Sequence, residues 1–240
     1  MSMFRDRADA GRRLAKALAG YKDRHPVVLA LPRGGVPVAA EVAEALEAPL
    51  DLILVRKIGV PTEPELAMGA VVDGVAPIVV RNEEVIELSG TTAAEFDRAC
   101  AQELAEIERR RQLYIGERAR AEVAGQVVIV VDDGIATGAT TRAALQAIRV
   151  RKPKELVLAV PVAPPDTVMS LRGQVDSLIC LETPELFGAI GYFYRDFRQV
   201  SDQEVLTILK RFSTMGTFPA TRTQSTSLPA PSPATFMPNA

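Results

Sequence analysis

The sequence predicts an α/β fold, a doubly wound, mainly parallel sheet of about five core strands with flanking helices and an inserted hairpin and helical arm. Three observations predict it. Short apolar runs alternate with helical patterns, the order expected of strand–helix–strand units. The runs are apolar throughout rather than alternating, as in strands covered on both faces. The chain has 240 residues, 48% of them hydrophobic, enough for a sizeable core.

In chain order, Leu14, Ala15 and Leu18 fall on one face of an amphipathic helix closed by Gly20. Residues 27–31 form the first strand, followed by Pro-Arg-Gly-Gly and a helical run. Residues 52–55 form the second strand. Residues 68–80 hold two short apolar runs around Asp73-Gly74, a hairpin pattern. Residues 91–123 are a long charged helical stretch with sparse apolar positions Phe96, Leu104 and Ile107. We read it as a solvated helix with one buried stripe, in preference to a projecting arm or a dimer contact. Residues 127–131 are a third strand, followed by a Gly-containing turn and a helix. Residues 156–162 and 177–181 are the fourth and fifth strands. From Ser213 the chain is rich in Pro, Ser, Thr and Ala, and we expect it to be disordered. Residues 1–212 are expected to form one domain.

The net charge is −2, so nothing global points to a nucleic acid or an anionic membrane as partner. Cys100 and Cys180 have neither CxxC nor metal-ligand spacing, and we read them as reduced thiols in a cytoplasmic protein. No apolar run approaches the length of a membrane span. The basic start lacks the continuous apolar stretch of a secretory signal.

The segment 127–141 carries the clearest chemistry. An apolar strand ends in Asp132-Asp133, then comes Gly134-Ile135-Ala136-Thr137-Gly138-Ala139-Thr140-Thr141 at the start of a helix. Two carboxylates at a strand end can accept hydrogen bonds from vicinal hydroxyls. Gly138 permits close approach of backbone amides to a phosphate. Thr137, Thr140 and Thr141 add hydroxyl donors, and the helix N-terminus favours a dianion. Acids beside a phosphate cradle suit a ligand that carries a diol and a phosphate together, as ribose 5-phosphate does. Any one of these residues alone would be an ordinary cap on a βα turn; the ordered string is a site. It is neither a Walker A loop nor a GxGxxG motif.

This string resembles the signature of the type I phosphoribosyltransferases, which bind 5-phosphoribosyl 1-diphosphate (PRPP). The resemblance implies that Asp132 and Asp133 take the ribose hydroxyls. It implies that Ala136, Thr137, Gly138, Ala139 and Thr140, with Thr141 beside them, hold the 5′-phosphate. In the family a diphosphate loop follows the first core strand, and Arg33-Gly34-Gly35 stands in that place. Arg56-Lys57 ends the second strand, at the binding edge of an open sheet, and is expected to join the diphosphate site. A mobile catalytic loop follows at this point in the family, here residues 58–70. It carries no Lys or Arg after Lys57, a departure from members whose loop has extra cations. The resemblance covers residues 27–181 as core. It adds a small hood, from residues 1–24 and 182–212, that selects the acceptor. Five of the chain's twelve aromatic residues lie within 187–197. They could stack a planar base, but most are expected to pack the segment to the core. His25, the single histidine, is read as structural.

The implied reaction moves the 5-phosphoribosyl group to a nitrogen of a nucleobase-like acceptor and releases diphosphate, as in nucleotide metabolism. Arg33, Lys57, Asp132 and Asp133 are the candidate catalytic residues, and Asp166 is a candidate general base. Mg2+ is expected to travel on PRPP without direct protein ligands, reaching Asp132 and Asp133 through water. A homodimer is expected. The alternatives are a non-catalytic PRPP or nucleotide sensor and a phosphoribosyl-ester hydrolase on the same fold.

Overall fold

The computed structural model describes residues 3–73, 77–116 and 118–212. The expected disorder beyond residue 212 and the turn residue Gly74 lie outside them. The elements in chain order are α1 (Arg7–Ala17), β1 (Val27–Ala30), α2 (Gly35–Leu46), β2 (Leu50–Leu52), β3 (Val55–Val60), β4 (Glu63–Val72), β5 (Ile78–Arg81), α3 (Glu83–Ser89) and α4 (Ala93–Tyr114). They continue with β6 (Val127–Val131), α5 (Ala139–Val150), β7 (Glu155–Val162), α6 (Pro165–Arg172), β8 (Ser177–Glu182) and α7 (Asp202–Phe212).

Five strands form an all-parallel sheet in the order β2-β1-β6-β7-β8. Their residues alternate between two cores, as the period of two requires. Val28, Ala30, Ile129 and Val131 face one core, closed by α1, α2 and α7. Val27, Leu29, Val128 and Val130 face the other, closed by α5 and α6. Both faces are covered, which is why the strands are continuously apolar. The chain winds from β1 outward to β2 and later from β6 outward to β8. The reversal therefore lies between β1 and β6, and open sheets of this kind bind ligands at such a reversal, beyond the carboxyl ends of the strands.

A second, antiparallel sheet, β3-β4-β5, stands beside the first. Its Ile58, Met68 and Val71 pack against Ile86 of α3 and Phe96, Cys100 and Ile107 of α4. The charged stretch thus does bury one apolar stripe. Thr92 and Glu95 start α4 with a reciprocal capping box. The helix stops at Tyr114 rather than near 123. The segment after it crosses back to the core, where Arg118 and Arg120 bind the buried Asp51 of β2 and Arg120 also binds Asp73.

Several boundaries differ from expectation. The second core strand ends at Leu52. The chain then enters the second sheet at Val55, so Arg56 and Lys57 belong to β3 and not to the end of a core strand. Residues 58–70, expected as a mobile loop, form most of the β3–β4 hairpin. Their Gly and Pro residues serve the irregular pairing around Gly59, where a Cβ would fall 2.4 Å from the Pro64 carbonyl. The first helix ends at Ala17, and Gly20 sits in the short 3-10 turn after it.

Candidate functional site at the β1–β6 switch

The acid pair follows β6 directly, at the carboxyl end of the sheet. Asp132 is half-buried, and its Oδ1 accepts the Asp133 amide at 2.8 Å. Asp133 is buried at 8% exposure. The loop after β1 lies against both acids. A Cβ on Gly34 would fall 2.1 Å from Asp133 Oδ2, and one on Gly35 would fall 2.9 Å from Asp132 Cα. The two glycines are there because the carboxyls fill the space that side chains would need. Burial, together with the neighbouring Asp133 charge, pushes the Asp132 carboxyl well above its ordinary range. Burial also raises Asp133, and the guanidinium of Arg7 opposes that rise.

Beyond the acids the loop is pinned at two points. The Ile135 amide donates to the Val162 carbonyl at 2.9 Å, and the Thr167 hydroxyl donates to the Ala136 carbonyl at 2.7 Å. Gly138 takes the left-handed conformation (φ 77°) and starts α5 without a side-chain cap. The leading amides of a helix have no partners within it, so this end is equipped for an anion. Ala136, Thr137, Ala139 and Thr140 surround it, and Thr137 and Thr140 are exposed there. Thr141 is 2% exposed and faces the interior.

The predicted cations are placed differently. Arg33 turns to α7, where its Nη1 lies 3.2 Å from Asp202 Oδ1. The Tyr114 hydroxyl donates to the same carboxylate, and burial with this contact raises that hydroxyl to about 12. Arg56 pairs with Glu103 of α4 at 2.6 Å, and Lys57 with Glu65 at 3.1 Å. Both line a cleft of about 500 Å3 between the hairpin and α4, whose lining does not include the acid pair. Asp166 is exposed in the first turn of α6, beside Thr167. His25 lies at the opposite end of β1.

Sequence reasoning missed the grip of the first helix and the 193–198 segment on Asp133. Arg7 of α1 lies 2.7 Å from Asp133 Oδ2 through its Nε, and each side chain is 11% exposed. Its Nη1 donates to the Arg198 carbonyl at 2.8 Å, and its guanidinium lies 3.9 Å over the Phe197 ring. The Tyr194 hydroxyl donates to the Asp133 carbonyl at 2.5 Å. No spacing signals a contact across 126 residues. The aromatic run mostly packs on itself, with Phe187 on Phe193 and Tyr194 between Phe4 and Phe197, while Tyr192 is 73% exposed.

Known proteins resemble this chain in sequence and fold. A crystal structure of TT1426 from Thermus thermophilus superposes with a TM-score of 0.78 at 40% identity, covering 88% of this chain and 99% of that one. Proteins of two Mycobacterium tuberculosis strains, CDC 1551 and H37Rv, bear the name of phosphoribosyl transferases without a stated acceptor. They are 48% identical over 211 residues, 88% of this chain. The chain spans about half the length of these curated relatives, 47%. The phosphoribosyl transferase domain family matches residues 4–198, a span that runs from Phe4 through the acid pair to Arg198, and the chain belongs to that family.

Proposed function

We propose that the protein transfers the 5-phosphoribosyl group of PRPP to a nitrogen of a nucleobase-like acceptor and releases diphosphate. The observation that carries this reading is the meeting, at one switch point, of the Asp132–Asp133 pair, the side-chain-free Gly34-Gly35 loop and the uncapped N-terminus of α5. These suit, in order, a ribose diol, a bulky diphosphate beside it and a 5′-phosphate.

The chemistry asks the protein for positioning and electrostatics. As the bond from C1 to the diphosphate lengthens, the sugar gains positive charge and the leaving group negative charge. The loop amides and the α5 N-terminus hold the 5′-phosphate, and the acid pair orients the ring. Arg33 is the cation nearest in sequence to the diphosphate loop, and it would exchange Asp202 for the diphosphate. Arg56 and Lys57 would reach it only by movement of the β3–β4 hairpin. Mg2+ fits as an ion carried by the substrate's oxygens.

The test is isotope-labelled PRPP with Mg2+ and a panel of bases. Diphosphate release that depends on one base is expected. A wild-type protein that neither binds PRPP nor releases diphosphate with any base would refute the proposal.

A further inference from the structure

We propose that α4 and α7 restrain the candidate diphosphate cations in the resting protein: Glu103 holds Arg56, and Asp202, set in place by Tyr114, holds Arg33. These three positioning residues then set the affinity for diphosphate. The inference rests on the PRPP reading and adds the groups that oppose its leaving-group site.

Both pairs are made across the fold. Arg56 Nε of β3 lies 2.6 Å from Glu103 Oε2 of α4, with side-chain exposures of 35% and 23%. Arg33, between β1 and α2, lies 3.2 Å from Asp202 Oδ1 through its Nη1, with exposures of 35% and 44%. The Tyr114 hydroxyl donates to that same Oδ1. The hydroxyl and the guanidinium together hold the Asp202 carboxyl below its ordinary range, so it stays charged. Lys57 offers the contrast. Its partner Glu65 is 96% exposed and stands on the neighbouring strand of the same hairpin, so that pair travels with the hairpin and restrains nothing.

The holders stand on packed elements. Glu103 and Tyr114 are about three turns apart on α4 and share one of its faces. That helix is fixed to the second sheet by Phe96, Cys100 and Ile107. Tyr114 itself is 5% exposed and lies in the main core with Val205, Leu209 and Phe212 of α7. A carboxylate on a packed element competes with any incoming anion for the guanidinium beside it. Diphosphate must displace Asp202 and Glu103 to gain Arg33 and Arg56, and their return to the cations favours its release. The exposure of the pairs suits such an exchange. A half-exposed ion pair is weak enough to break, whereas a fully buried one would hold its cation permanently. The charged helix α4 thereby acquires a task beyond burying its apolar stripe.

The test is calorimetric titration with inorganic diphosphate, beside thermal melting, of Glu103→Gln, Asp202→Asn, their double variant, Tyr114→Phe and, as a control on the exposed face of α4, Asp97→Asn. Glu103→Gln and Asp202→Asn are each expected to tighten diphosphate binding about two- to fivefold, and the double variant by about the product of the two. Tyr114→Phe is expected to tighten it less and to add nothing in the Asp202→Asn background, because it acts through Asp202. Asp202→Glu keeps the charge and should return affinity toward the wild type. The Asp202→Asn gain should vanish in an Arg33→Met background, and the Glu103→Gln gain in an Arg56→Met background. Glu103→Gln and Asp202→Asn proteins that bind diphosphate no tighter than the wild type, or more weakly, overturn the restraint. So do gains that persist without Arg33 and Arg56, or an equal gain in Asp97→Asn, since these report only the loss of a negative charge. A chain that binds neither diphosphate nor PRPP, as wild type or in any variant, overturns the PRPP reading and this inference with it.

Discussion

Gly34→Ala probes the closest approach in the site. The new Cβ would lie 2.1 Å from Asp133 Oδ2, 2.6 Å from its Cγ and 3.0 Å from its Oδ1. Carbon and oxygen need more than about 3 Å, so the carboxyl must move by about 1 Å or rotate. Either motion breaks the 2.7 Å bond from Arg7, a hydrogen bond between two charged groups with 11% exposure on each side. Such a bond contributes about 1.5–3 kcal/mol. For a domain of this size that corresponds to a fall of roughly 3–12 °C in melting temperature. The assay is a thermal melt by circular dichroism of Gly34→Ala in the wild-type and Arg7→Met backgrounds. In the second background the bond is already gone, so the alanine should cost much less. An equal loss in both backgrounds, or a loss under about 0.5 kcal/mol in the wild type, would refute the reasoning that Gly34 makes room for the ion pair.

Asp51→Ala should cost about 3–5 kcal/mol in denaturant unfolding, because Arg118 and Arg120 would lose the buried carboxylate that both share; a loss below about 1 kcal/mol would show that the network is slack. Gly138→Ala forces a side chain into the left-handed region beside Thr167, at about 1–2 kcal/mol, and should weaken binding of inorganic phosphate and ribose 5-phosphate; unchanged affinity by calorimetry would separate the loop from the anion. The raised Asp132 carboxyl means that the native state holds a proton that the unfolded chain gives up. The stability this contributes is complete below the unfolded carboxylate value and is lost as pH rises through the folded one. Asp132→Asn cannot ionise, so its melting temperature relative to wild type should climb as pH rises above the ordinary carboxylate range. A constant difference as pH rises would contradict the shift.

The five core strands and the acid-to-threonine string were legible because local pattern carries them. Val127 to Val131 are apolar at every position, which only a strand covered on both faces requires, and Gly138 marks a left-handed turn before a helix. The fate of residues 53–70 was not legible. Leu52, Ile53 and Leu54 form one apolar run, and nothing in it says that the sheet is left at Leu52 and a second sheet entered at Val55. The glycines and prolines of 59–69 read equally as a loop or as an irregular hairpin. Strand pairing decided between them, since Arg56, Lys57 and Ile58 oppose Val71, Ala70 and Gly69. The single buried stripe of α4 was visible in its sparse Phe96 and Ile107, whereas its end at Tyr114 depended on Arg118 and Arg120 finding Asp51.

By itself, then, the sequence determined the layered sheet, the switch-point loop and the family, because each rests on periodicity or on residues adjacent in the chain. Tertiary structure alone decided what each charge does. Arg33 and Arg56 looked like free cations until Asp202 and Glu103 arrived beside them from distant helices. Asp132 and Asp133 looked equivalent until Arg7, 126 residues away, chose one of them. An ion pair is set by distance and burial, and neither is written in the order of residues until the chain has folded.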